Sequence, residues 1–151
     1  MDMQSRTVPR CIFRVYAERA RARLISRIHD VYLSSAVTTL FRNLNPAKRD
    51  EAAVAAAKTS AETGFGYLEH FVVASPFAAG SQLSLADCAL LPSIMLLRRT
   101  AFPAYGMSDP TAGDGPLARW RAACEADPVT GQFMTEYTAA VDAFLKMLAG
   151  K

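Results

Sequence analysis

The segment Gly80-Ser81-Gln82-Leu83-Ser84-Leu85-Ala86-Asp87-Cys88-Ala89-Leu90-Leu91-Pro92 constrains the fold more than any other stretch of the chain. Ser84 stands at an N-cap position ahead of an apolar run. Its hydroxyl is placed to accept the backbone N–H of Asp87, while the Asp87 carboxylate reaches back to the N–H of Ser84. This reciprocal capping box satisfies two donors that the start of a helix otherwise leaves open. Leu83, just outside the cap, can fold onto Cys88 one turn in as a hydrophobic staple, and Asp87 lies at the positive end of the helix dipole. Loss of such a cap costs about 0.5–2 kcal/mol. The box marks the start of a mostly apolar helix and gives Ser84 and Asp87 a role in folding, not in catalysis.

Helical periodicity runs through the rest of the chain. A first long helix is expected from Tyr16 to Asn43, with an apolar stripe of Leu24, Ile28, Val31, Tyr32, Leu40, Phe41 and Leu44 at spacings of three and four. Asn45-Pro46 reads as cap plus first-turn proline, with Asp50 and Glu51 favouring the dipole of a second helix. That helix carries Val54, Ala57, Ala61, Phe65, Leu68 and Val72 on one face. Gly64 and Gly66 weaken it by about 1 kcal/mol each unless a neighbouring helix uses the missing side chains, so a close contact is expected there. Ser75-Pro76 ends it. The capped third helix runs from Leu85 to Arg99 with Pro92 inside, which predicts a kink or break near Ala89. Phe102 to Gly115 reads as loop from Pro103, Gly106, Pro110, Gly113 and Gly115. A short helix with Leu117, Trp120 and Cys124 follows, and a last helix with the stripe Phe133, Tyr137, Val141, Phe144 and Leu148. The expected fold is an all-α bundle of five to six helices over residues 16–151, preceded by an irregular segment 1–15.

Composition excludes several classes of function. With 51% hydrophobic and 21% charged residues in 151, the chain suits a single globular domain and not a disordered one. The net charge of +3 is concentrated in Arg10, Arg14, Arg19, Arg21, Arg23 and Arg27. Several of these fall one turn apart on a solvated helix face with Glu18 and Asp30 as partners, which argues against nucleic-acid binding. Cys11, Cys88 and Cys124 are odd in number and far apart, so neither a disulfide framework nor a metal site is indicated, and His29 and His70 lack ligand spacing. Reduced thiols and the lack of a signal-peptide or membrane-span pattern point to a cytoplasmic protein that does not enter a membrane. Cys11 reads as an incidental thiol, without a Cys-x-x-Cys or a flanking βαβ pattern.

The capping segment, taken with Phe77-Ala78-Ala79-Gly80 before it and Ile94-Met95-Leu96-Leu97 after it, resembles the capping-box region of the glutathione transferase C-terminal helical domain. Glu18 to Asp30 resembles the opening of that domain's first long helix, and Pro116-Leu117-Ala118-Arg119-Trp120 with Asp127-Pro128 its later short helix and exit turn. The resemblance implies a helical wall for a hydrophobic electrophile, built from the first and last helices. Tyr32, Ala36 and Phe41 would line it, with Tyr137 or Phe144 as outer wall and His29 as a polar group at its mouth. It implies glutathione as co-substrate, but only with a thioredoxin-like domain to bind it, and the fifteen residues before Tyr16 hold no strand with a crossover helix. The chain is therefore expected to be inactive alone, and to form a homodimer through its first two helices or pair with a thioredoxin-like partner chain. An apolar strip on the first and third helices should then be exposed and bind hydrophobic small molecules. The same resemblance leaves open a non-catalytic adaptor of the kind found in translation complexes.

Overall fold

A computed structural model describes residues 10–149, with side chains from Arg14 to Leu148. Met1 to Pro9 and the side chain of Cys11 lie outside the described residues. The elements are α1 (Arg10–Ile28), a π-helical turn (His29–Leu33), α2 (Ser34–Arg42), a 3-10 turn (Pro46–Lys48), α3 (Glu51–Phe71), α4 (Leu85–Arg99), α5 (Ala101–Tyr105), α6 (Pro116–Ala126) and α7 (Pro128–Ala149). With α1, the π turn and α2 counted as one rod, six helices make up the described residues, and the fold is all-α.

Helix α1 begins at Arg10, six residues before the expected start, so the end of the segment expected to be irregular is helical. The buried stripe of the rod also differs from the expected one. Ile25, Ile28, Leu33, Ala36, Val37 and Leu40 face the core, whereas Leu24 and Val31 are exposed. The π turn, wider than an α turn by about one residue, accounts for the change after Ile28: the inward face moves five positions on, to Leu33, and leaves Val31 outside. Within that turn the Tyr32 carbonyl accepts a 2.8 Å bond from Ser60 Oγ on α3, so the widened backbone is satisfied by the neighbouring helix.

Helix α3 starts at Glu51, not at Pro46. Asn45 caps only the 3-10 turn through Ala47 N, and Asp50 caps α3 by accepting from Ala53 N at 3.0 Å. All six residues of its expected apolar face are buried. The two glycines part company. A Cβ on Gly64 would lie 2.8 Å from Tyr32 Cβ, so the absence of a side chain lets α3 approach the π turn, whereas Gly66 faces open space and makes no such contact.

Helix α4 is continuous from Leu85 to Arg99 through Pro92, with no break at Ala89. It is the central rod, with Leu90, Ile94 and Leu97 almost wholly buried. The expected loop after it opens with α5, because Pro103 falls in the first turn, where the missing N–H has no helical partner to lose. On α6, Leu117, Trp120 and Cys124 are fully buried as expected. On α7 the inward residues are Thr130, Met134 and Val141, while Phe133, Phe144 and Leu148 of the expected stripe stay exposed. The face the periodicity singles out is thus only partly covered by protein.

Candidate functional site

The start of α4 builds two different environments on consecutive residues. Asp87 is fully buried. Its Oδ2 accepts from Ser84 N at 2.9 Å, the Asp87 arm of the capping box, and also from Ser84 Oγ at 2.8 Å. Its Oδ1 accepts from Ala78 N and from Trp120 Nε1, both at 2.8 Å. One carboxylate therefore ties the loop before α4, the cap of α4 and the middle of α6 together, and four donors compensate its burial. The tryptophan bond is invisible in the sequence, since it spans thirty-three positions. The signal that could have raised it is a lone Trp on an apolar helix face, whose indole N–H needs a partner once buried.

On the other side of α4 an apolar cleft of about 420 Å³ opens against α7. Leu83, Cys88, Leu91 and Pro92 form one wall, and Val129, Thr130, Phe133 and Tyr137 the other. Leu83 and Cys88, the two residues of the expected staple, both line this cavity and both stay exposed. The Phe133 and Tyr137 rings lie 5.4 Å apart at 31°. No charged side chain lines the cleft. Thr130 Oγ1 is engaged with Cys124 O at 2.6 Å and with Asp127 Oδ1 at 3.1 Å. Burial pushes the Tyr137 phenol above its ordinary value.

The six residues the resemblance implies as a wall are not gathered in one place. Tyr137 lies in the cleft. Phe41 stacks on Phe144 with centroids 6.1 Å apart, joining α2 to α7. Tyr32 packs on Tyr67 at 5.2 Å, and Ala36 sits in a shallow basin of small residues between α2 and α3. His29 Nε2 lies 2.8 Å from Ser93 Oγ and Nδ1 lies 3.4 Å from Asp30 Oδ1, so the imidazole bridges the π turn to α4. Of the residues lining the cleft, sequence reasoning assigns only Tyr137 to a pocket, and not Thr130 or the six apolar or thiol side chains around it.

The two described thiols differ. Cys88 is exposed at the cleft, whereas burial, with the charge of Asp87 adding to it, pushes Cys124 up to about 12. Among the described residues no group of three or more His, Cys, Asp or Glu could hold a metal ion, and no helix is long and apolar enough to cross a membrane.

Residues 51–123, from α3 into α6, match the family model of the glutathione S-transferase C-terminal domain. No curated protein sequence matches the chain. The α1–α2 rod and α7 lie outside the matched residues, so one wall of the cleft falls within the match and the other beyond it.

Proposed function

We propose that this helical domain supplies the hydrophobic wall against which a glutathione transferase-type protein holds its electrophilic substrate. The observation that carries the reading is an apolar cleft without a charged lining residue, formed by α4 of the matched region and α7. Glutathione would be bound as co-substrate by a thioredoxin-like domain of the same protein or of a partner chain. That domain would hold the thiol as thiolate. The thiolate sulfur then attacks the electrophilic carbon, an S–C bond forms, and the leaving group departs with its electron pair. The wall contributes by fixing the electrophile at attack distance, which converts a bimolecular encounter into an effectively unimolecular step. Tyr137 lines the wall, the Phe41–Phe144 pair extends it along α7, and Tyr32, Ala36 and His29 shape the rod behind it.

On this reading the protein is cytoplasmic, and the chain alone neither binds glutathione nor turns over. A dimer through α1 and α3 is supported by Tyr16, Leu24, Val31 and Tyr67, large apolar side chains left exposed on those two helices and the π turn. Calorimetric titration of glutathione into the chain, followed by a chromogenic conjugation assay with and without a fused thioredoxin-like domain, tests the proposal. Conjugation only in the fused protein is expected. No conjugation in the fused protein overturns it and favours the adaptor reading, for which the exposed Val129, Met147 and Leu148 on α7 offer a protein-contact surface.

A further inference from the structure

We infer that the outer face of α1 docks an amphipathic helix of a partner protein, one whose apolar seam is edged by a row of Glu or Asp side chains one turn apart. The inference stands apart from the transferase reading, because α1 lies outside the residues matched to the family and the cleft takes no part in it.

The arginines of α1 divide into two sets. Arg14 pairs with Glu18 at 3.5 Å and Arg21 donates to the Ala79 carbonyl at 3.2 Å, so both are used by the fold. Arg19, Arg23 and Arg27 are exposed and form no ion pair among the described residues. Glu18 and Asp30, the partners expected for the arginine run, are engaged elsewhere. Glu18 accepts from Ser81 Oγ at 3.5 Å besides pairing with Arg14, and Asp30 Oδ1 lies 3.4 Å from His29 Nδ1. A spacing of four sets the three guanidinium groups in a row on one face, about 6 Å apart along the axis. Like charges at this spacing repel and disfavour the helix that carries them. An opposing row of carboxylates turns that repulsion into attraction.

A second row runs beside the first. Tyr16, Ala20 and Leu24 are exposed, four apart, and each stands three positions before one of the arginines. Two such parallel rows enclose a groove of the kind that receives the side-chain ridge of another helix. An apolar row edged by charges is also the pattern by which paired helices select partner and orientation.

Charge and shape select the occupant. A second copy does not fit this stripe, since a two-fold axis through Arg23 would set Arg19 of each protomer against Arg27 of the other. The dimer proposed above is then left with Val31 and Tyr67. A membrane surface fits poorly, because α1 has turned Ala22, Ile25 and Ile28 into the core, and an interfacial helix needs its apolar face for lipid. A single-stranded nucleic acid stacks its bases on aromatic side chains set among basic ones, and this face offers Tyr16 alone, at its end. A helix with carboxylates one turn apart matches both the charge repeat and the apolar row.

The probe for the test is a fluorescein-labelled alanine-leucine helix of about twenty residues, long enough to hold its shape, with Glu one turn apart beside the leucine row. Titrated into the full chain and followed by fluorescence anisotropy, it should bind saturably, and more weakly as salt rises. Arg23→Glu, at an exposed position, should weaken binding at least about ten-fold and leave the helix content by circular dichroism unchanged. Arg42→Glu changes the net charge equally but lies on α2, off the stripe, and should leave the affinity within about two-fold. The triple variant Arg19→Glu, Arg23→Glu, Arg27→Glu should exchange its preference and bind the peptide that carries Lys for Glu. No saturable binding, equal affinity for a scrambled peptide of the same composition, or an equal loss in Arg42→Glu would each overturn the inference. Tighter binding to oligouridylate or to phosphatidylserine vesicles, abolished by Arg23→Glu, would overturn it too and give the stripe to a nucleic acid or a membrane.

Discussion

Asp87 and Cys88 are consecutive residues on the first turn of α4, and their surroundings are opposite. Asp87 is a charged side chain with no exposure and four donors around it, while Cys88 is a small, weakly polar one that faces an open apolar cleft. Apolar residues inside and polar ones outside would be unremarked; a buried carboxylate beside an uncovered apolar hollow is informative. The buried side is closed because every polar atom on it is satisfied, and this holds α4 fixed against α6 and the preceding loop. The open side borrows that rigidity. A pocket wall can stay apolar and uncovered only if something else keeps its helix in place.

The sharpest way to break this comparison is to damage the closed side. Asp87→Asn keeps the shape but turns one acceptor oxygen into a donor facing other donors, and should cost about 3–5 kcal/mol in urea unfolding. A loss below about 1 kcal/mol would show that the carboxylate is not the tie between α4 and α6. Next in size is Gly64→Ala, whose new methyl meets Tyr32 Cβ at 2.8 Å; it should destabilise by about 1–3 kcal/mol.

The open side should respond weakly to the same measurement. Phe133 is 39% exposed, so Phe133→Ala should cost only about 1 kcal/mol of stability in the same urea unfolding, which separates cleft wall from core. Gly66→Ala, with open space around it, should stabilise α3 by about 0.5–1 kcal/mol, and the opposite signs at Gly64 and Gly66 report which glycine is in contact. Thiol alkylation at mildly alkaline pH should modify Cys88 in the folded protein and leave Cys124, held near 12, intact until the chain unfolds.

The smallest expected effect lies at the far end of α4. Burial raises the Asp109 carboxyl, but the Thr111 hydroxyl and N–H and the Arg98 guanidinium at 2.7 Å outweigh it, so the folded value lies below the ordinary carboxylate range. A carboxylate lowered by folding adds stability above its unfolded value, near pH 4, and loses it as pH falls through the folded one. Asp109→Asn should therefore flatten the stability curve on the acid side and leave the slope near pH 7 unchanged.

Local chemistry made much of this architecture legible. The capping box at Ser84 and Asp87, the core face of α3 and the bounds of α4 follow from side chains within one or two turns of each other. Two of the misreadings, the stripe of the α1–α2 rod and the covered face of α7, share a physical cause: a neighbour distant in sequence. The π turn displaces the stripe of the α1–α2 rod because Gly64 and Ser60 of α3 receive Tyr32 there. Periodicity correctly finds that α7 has an aromatic face, but not whether another helix covers it. Phe133 and Phe144 look like core residues in sequence and are exposed in the fold.

The sequence by itself determined the all-α class, the start of the central helix and the family of its middle region, because helix propensity, capping and hydrophobic period act between residues a few positions apart. Only the tertiary structure decided that Asp87 would find Trp120, that an apolar cleft would open between α4 and α7, and that Tyr137 alone of the six expected wall residues would line that cleft. The reason is that a pocket is what packing leaves uncovered, and packing is settled between elements whose mutual positions no local period encodes.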